Sequence, residues 1–367
     1  MRTLQAVLAE NVRPGELWEK IDDHRIRCLA CGHRCPIPEG LPGVCKVRFN
    51  QGGTLYVPWG YAAGVQCDPI EKKPFFHVRP GALAFSFGML GCDLHCGYCQ
   101  NWVTSQAIRD PEAVASLRRF SPEQLARQAV EQGAEVVVST YNEPLITAEW
   151  AVAVFKQARA ADLVTGFVSN GNATPEVLEY LRPWVDLYKV DLKSFNDRHY
   201  RELGGRLAPI LESIRRIYEM GFWLEIVTLV VPGFNDSDDE LRRIAGFLAG
   251  ISRDIPWHVT AFHADYKMPD PDDTPPETLV RAYNIGREAG LRYVYAGNLP
   301  GIGDPENTRC ASCGELLVKR HGYRILDYRI TPEGRCPSCA AAVPGRWAKA
   351  FRKQISSLPF SPFFSMT

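Results

Sequence analysis

Between residues 82 and 295 short apolar, β-branched runs alternate with longer amphipathic stretches, and polar loops separate the two. The runs at 82–89, 135–139, 164–168, 187–192, 223–231, 258–262 and 293–295 read as strands. The stretches at 122–132, 147–160, 175–180, 207–220, 238–250 and 276–289 read as helices. Ser121-Pro122-Glu123 and Thr174-Pro175-Glu176 each set a capping hydroxyl before a proline suited to the first helical position. Strands that are nearly continuous apolar runs, alternating with helices, indicate parallel pairing with both faces covered. The expected fold class is therefore α/β, a complete or partial barrel of the (β/α)6 type; a doubly wound open sheet is the other arrangement such an alternation allows.

Polar residues gather where the strands end: Thr140-Tyr141-Asn142-Glu143-Pro144 after the second, Ser169-Asn170-Gly171-Asn172 after the third, Asp191 and Lys193 on the fourth, His263 after the sixth, Gly297-Asn298 after the seventh. Any one of these is accounted for by a turn or a cap. Five at the same end of separate strands match the face on which α/β barrels build their sites.

Composition narrows the setting. The chain has 367 residues, enough for one large barrel with appendages or for two to three domains, and at 46% hydrophobic it is too apolar to be disordered. Forty-two basic residues balance forty-two acidic ones, which removes any long-range pull toward nucleic acid or an anionic membrane. No apolar run reaches the length needed to span a bilayer, and Glu10, Glu16 and Glu19 interrupt the segment where a secretory signal would be apolar. A cytoplasmic location is expected, with no membrane and no specific nucleic-acid partner. Thiols stay reduced there, so clustered cysteines read as metal ligands.

The twelve cysteines fall into groups of four, one, three and four. Cys92, Cys96 and Cys99 follow the first strand closely. Three thiolates on one loop can wrap one face of an iron–sulfur cube, which normally takes four. No unassigned fourth lies close in sequence, so one iron would remain open. Zinc with His95 as fourth ligand is the alternative. Cys310, Cys313, Cys336 and Cys339 form two C-x2-C knuckles, the pattern of a zinc ribbon, with a rubredoxin-like iron site or a second cluster as alternatives. Cys28, Cys31, Cys35 and Cys45, with His33 as a possible substitute, suit zinc or an auxiliary iron–sulfur cluster. Cys67 reads as packing.

The C-x3-C-x-aromatic-C loop resembles that of the radical S-adenosylmethionine (SAM) enzymes. Glu71-Lys72-Lys73-Pro74, Cys99-Gln100-Asn101-Trp102, Tyr141-Asn142-Glu143-Pro144, the segment from Phe262 to Lys267 and Tyr295-Ala296-Gly297-Asn298 are similar to the AmmeMemoRadiSam-system members, a group similar to pyruvate formate-lyase activating enzymes. The resemblance implies that Cys92, Cys96 and Cys99 hold a 4Fe–4S cluster whose open iron chelates SAM, and that the reduced cluster cleaves SAM to a 5′-deoxyadenosyl radical that abstracts hydrogen. It places Tyr98 near the adenine, and Asn142 and Glu143 at the SAM amino group. It sets Ser169 and Asn170 at the ribose or carboxylate, Asp191 and Lys193 at the methionine carboxylate, and His263 near the adenosine. It further implies a flavodoxin- or ferredoxin-type reductant and companions of the AMMECR and Memo types. Val227 stands where the activating enzymes carry an arginine.

The expected organisation is a cysteine-rich module over 1–70, a radical SAM barrel over 71–305, a zinc-ribbon-like module over 306–347 and a tail over 348–367. The expected function is hydrogen abstraction from a small metabolite. The alternatives are activation of a partner glycyl-radical protein and a metal-stapled binding protein without catalysis. Lys72, Lys73, His77 and Arg79 read as a connector or as a basic contact for an acidic substrate or electron donor. The loop 268–276 reads as a lid.

Overall fold

The structure, a computed structural model, describes residues 4–110, 113, 117–299 and 301–347. The proposed tail lies outside the described residues. Seven parallel strands stand side by side in chain order: Leu83–Gly88, Val136–Ser139, Val164–Ser169, Leu187–Asp191, Trp223–Val230, Trp257–Ala261 and Val294–Gly297. An eighth, Gly64–Pro69, runs antiparallel to the first, with Cys67 opposite Phe85. The sheet therefore begins before residue 71. Its two edges do not pair with each other, which makes it an open, partial α/β barrel.

Six helices, Pro122–Glu131, Ala148–Ala160, Pro175–Leu181, Leu207–Glu219, Asp238–Ile251 and Pro276–Glu288, connect successive parallel strands. Sequence explains why several of them start where they do. Ser121 accepts the Gln124 N–H while the Gln124 side chain accepts the Ser121 N–H, a reciprocal capping box. Thr174 and Ser237 cap the helices that follow them by accepting the Val177 and Glu240 N–H groups. Each helix buries one stripe against the sheet. In Ala148–Ala160 that stripe includes Trp150, Val154 and Phe155, and Phe155 meets Phe87 and Phe167 edge-on at ring separations of 6.0 and 5.9 Å.

Two small three-stranded sheets make the N-terminal module. A buried ion pair staples it to the barrel: Arg48 donates from both terminal nitrogens to Glu149, at 2.7 and 2.8 Å, and Glu149 also accepts the Glu16 and Leu17 N–H groups.

The C-terminal module is an antiparallel ribbon, Thr308–Arg309, Leu316–His321 and Arg324–Tyr328. It shares a core with the barrel through Phe76, Tyr293, Tyr295, Leu317 and Val318. Arg320 reaches from it to donate to the Phe76 carbonyl at 2.8 Å and to Thr308 at 2.7 Å, 3.9 Å from Glu71. Inside the barrel Glu225 accepts from the Phe76 and His77 N–H groups and from the Trp223 ring nitrogen, and pairs with His258 at 2.7 Å.

The linker's basic residues are engaged internally. Lys72 and Lys73 pair with Asp68, Arg79 pairs with Glu135, and His77 is buried. These internal pairings, two of them local to the segment, take up charge that the partner-contact alternative would have left free. Among the described residues no helix is long and apolar enough to cross a membrane.

Candidate functional site

A cavity of about 390 Å³ opens at the carboxyl ends of the parallel strands. Cys92, Cys96 and Cys99 line it, together with Tyr98, Asn142, Glu143, Ser169, Asn170, Asp191 and Lys193. Of the expected site residues outside the two outer cysteine groups, His263 alone stays out: its side chain is exposed, and His258 and Thr260, lower on the same strand, face the cavity instead. The cavity follows the barrel axis from the cysteine loop to Lys73, Phe76 and Tyr323 of the C-terminal ribbon.

The cysteine loop is held from several sides. The Leu94 N–H donates to the Cys92 sulfur at 3.4 Å, and Ser105 Oγ lies 3.1 Å from the Cys99 sulfur. Arg109 and Gln106 donate to the Leu94 carbonyl, and Arg109 also to that of Cys92. Burial pushes the Cys96 thiol up to about 11, against the pull of Lys193 in the opposite direction. A ligand cation would reverse that, since thiolate is the ligating form. Among the described residues the three sulfurs do not meet at single-ion distance, and His95 turns outward against Gly204. The set thus suits a cluster that seats each thiolate on its own iron better than a zinc ion.

Beside the cysteines lies a carboxylate with an unusual environment. Glu143 Oε1 accepts from Ser169 Oγ at 2.7 Å and the Leu145 N–H at 3.1 Å, and Oε2 accepts the Asn170 N–H at 2.8 Å. Even so, burial, reinforced by the Asp93 carboxylate, pushes it well above the usual carboxylate range. Among the described residues no basic side chain forms an ion pair with it. A buried carboxylate in that state favours a cationic guest. Asn142 is spent on structure: it accepts the Met89 N–H at 2.9 Å and donates to the Glu143 carbonyl at 3.0 Å.

Across the cavity Asp191 lies between two lysines, Lys189 and Lys193, the latter 3.7 Å away. The triad carries a net positive charge when ionised, suited to a ligand carboxylate. Sequence reading missed Lys189, although Lys189 and Asp191 alternate at the two-residue period that puts them on one strand face, with Lys193 two residues beyond the strand. It also missed Asp93, which accepts from Asn170 at 2.7 Å and Asn172 at 2.8 Å. The segment after the sixth strand reaches the cysteine loop: the Lys267 N–H donates to the Gly97 carbonyl at 3.0 Å, and Tyr266 stacks on Trp102.

The C-terminal cysteines form a different kind of site. Cys310 and Cys339 are 3.6 Å apart at sulfur, and Cys313 and Cys336 are 3.7 Å apart. A tetrahedral ion with metal–sulfur bonds of about 2.3 Å spaces its thiolates at roughly 3.8 Å, so one ion fits.

The chain is 35% identical over 336 residues to an uncharacterised protein of Methanocaldococcus jannaschii, covering 90% of this chain and 99% of that one. It is 25% identical over 232 residues to the pyruvate formate-lyase-activating enzyme of Staphylococcus aureus, covering 57% of this chain and 88% of the enzyme. A radical SAM methyltransferase structure from Sphaerobacter thermophilus covers 85% of this chain and 84% of its own, at 16% identity and a TM-score of 0.46. The family model described as the radical SAM superfamily matches residues 88–245, from the end of the first barrel strand into the fifth helix. With the cysteine loop, the strand-end cavity, the matched family model and the similarity to the activating enzyme in agreement, the chain belongs to the radical SAM superfamily.

Proposed function

We propose that this protein binds a 4Fe–4S cluster through Cys92, Cys96 and Cys99 and SAM in the adjoining cavity, and abstracts hydrogen from a small metabolite. The observation that carries the reading is the meeting of three thiols, one short of a full set, with a buried carboxylate on one side and a cationic triad on the other. Cluster and SAM together would supply a 5′-deoxyadenosyl radical once an electron arrives from a flavodoxin- or ferredoxin-type donor. The protein's own residues bind and orient. Glu143, fixed by three donors, presents charge to the SAM ammonium. Lys193 and Lys189 offset the methionine carboxylate, with Asp191 holding them apart. Tyr98, buried against Phe234 at a ring separation of 5.8 Å, offers an apolar face to the adenine. The 265–268 segment, tied to Gly97 and Trp102, restricts water at the cysteine loop.

A small substrate is favoured over a partner protein by the cavity's inner end. Val227 leaves it without the arginine of the activating enzymes, and Tyr323 and Phe76 enclose it. Companions of the AMMECR and Memo types, the AmmeMemoRadiSam grouping and a cytoplasmic site complete this reading. The C-terminal cysteines would hold zinc as a structural staple. Anaerobic incubation of cluster-loaded protein with dithionite and SAM should yield 5′-deoxyadenosine. A glycyl-radical doublet in an added partner protein would instead favour the activating role.

Two expectations follow here. Glu143→Gln removes the negative charge while keeping the shape. Charge-assisted hydrogen bonds contribute about 1.5–3 kcal/mol, so the dissociation constant for SAM should rise roughly 10- to 100-fold, read by equilibrium binding with unchanged iron content. Cys313→Ser should release the C-terminal metal and lower the thermal midpoint while leaving iron at the wild-type level. Concurrent loss of iron would show that those thiols carry a cluster.

A further inference from the structure

The N-terminal cysteines differ from the C-terminal four in a way that sequence could not show. Among the described residues, Cys310, Cys313, Cys336 and Cys339 are the only group of three or more His, Cys, Asp or Glu side chains whose ligand atoms all lie within 4.8 Å of one another. Cys28, Cys31, Cys35 and Cys45 nevertheless share one neighbourhood. The Cys28 N–H donates to the Cys35 carbonyl at 3.0 Å, and the Arg34 N–H to the Cys31 carbonyl at 3.0 Å. Their ligand atoms do not all lie within 4.8 Å of one another, as is also true of Cys92, Cys96 and Cys99.

The surroundings suit an anionic cluster. The Val44 N–H points at the Cys35 sulfur at 3.5 Å. Arg34 and Lys46, the neighbours of Cys35 and Cys45, hold left-handed backbone at φ of 43° and 67°, each closing a tight turn by donating its N–H, to the Cys31 and Gly43 carbonyls, at 3.0 Å. Cys28, Cys31 and Cys45 are buried. Arg48, 1% exposed and close enough for the Cys28 and Cys45 charges to act on it, keeps a buried Nε–H without a partner. His33 does not complete the set, since its ring contacts the Asp93 carbonyl at 3.1 Å.

We propose that Cys28, Cys31, Cys35 and Cys45 hold an iron–sulfur cluster rather than zinc. The module carrying it is packed onto the SAM site: Cys31 bridges to Ala173, the Gly32 N–H donates to the Asn172 carbonyl at 2.8 Å, and His33 touches the residue next to Cys92. The proposal does not depend on SAM chemistry.

The test is the full chain with Cys92→Ala, Cys96→Ala and Cys99→Ala combined, reconstituted anaerobically with iron and sulfide and then desalted. It should keep about two or about four iron per chain, according to cluster type, with matching acid-labile sulfide and a paramagnetic signal on reduction. Iron near zero, with or without a second zinc, overturns the proposal. Should that variant fail to fold, Cys28→Ser/Cys31→Ser in the otherwise native chain must lose the same two to four iron and keep the SAM-responsive signal. Unchanged iron there also overturns it.

Discussion

Cys96→Ala should reduce 5′-deoxyadenosine formation to the uncatalysed background. Cys96 is buried in the centre of the cysteine loop, and Lys193 is the charged group that most favours its thiolate. With three protein ligands there is no spare. A cluster held by two thiolates loses its fixed position relative to Glu143 and the Lys189–Asp191–Lys193 triad, so positioning fails together with electron delivery. Iron should fall by about four per chain relative to wild type, while the C-terminal metal persists. Liquid chromatography of the quenched anaerobic reaction gives the first readout and metal analysis the second. Product at the wild-type rate from the alanine variant would remove the catalytic reading of the triplet.

Arg48→Met should produce the largest loss of stability. The Arg48–Glu149 pair is 1% and 0% exposed at its side chains, and it joins the N-terminal module to the helix Ala148–Ala160. Removing one partner of a buried pair strands the other charge, at a cost of about 3–5 kcal/mol. The pH dependence identifies the cause. In the wild type, burial alone would raise the Glu149 pKa, but the Arg48 guanidinium outweighs it and holds the pKa below its ordinary value. The pair's stabilisation is therefore present above about pH 4.5 and lost as pH falls through the folded value. In the variant Glu149 is buried without a cation and its pKa rises. Its penalty then grows as pH climbs from about 4.5 toward neutrality. The gap between the thermal midpoints of the two proteins should widen over that interval, and Arg48→Met/Glu149→Leu should recover much of it. A gap that does not change with pH would mean that packing, not charge, dominates.

Much of the barrel was legible because its strands are buried on both faces, and burial writes itself into sequence as unbroken β-branched runs. The seven parallel strands and six connecting helices lie within two residues of the positions their patterns indicate. The edge strand Gly64–Pro69 escaped for the opposite reason: every residue in it is half-buried, so no apolar alternation marks it. The N-terminal sheets escaped because their strands are three to five residues long and are fixed by a distant partner, Glu149. Spacing singled out the cysteine triplet, and strand-end position singled out Glu143 and Asp191, which line the same cavity. Asp93 sits inside the same loop with no signal of its own; its role depends on Asn170 and Asn172, which the fold brings from nearly eighty residues away. His263 shows the converse, a polar residue two positions past the end of its strand whose side chain is exposed to solvent.

The arginine that the C-terminal ribbon inserts beneath the barrel has a consequence for the order of assembly. Glu71 and Glu225 belong to segments made early, and the cation that faces them, Arg320, is made late. In the docked structure burial pushes Glu71 up to about 7 against the pull of Arg320, and the Gly81 N–H donates to it at 3.0 Å; loss of the Arg320 charge alone would push it higher. In vectorial synthesis the residue that completes the barrel's polar underside is therefore made last, on the ribbon that carries Cys310, Cys313, Cys336 and Cys339. With the proposed metal at those thiols, its supply would govern the closing of a pocket that contains none of them.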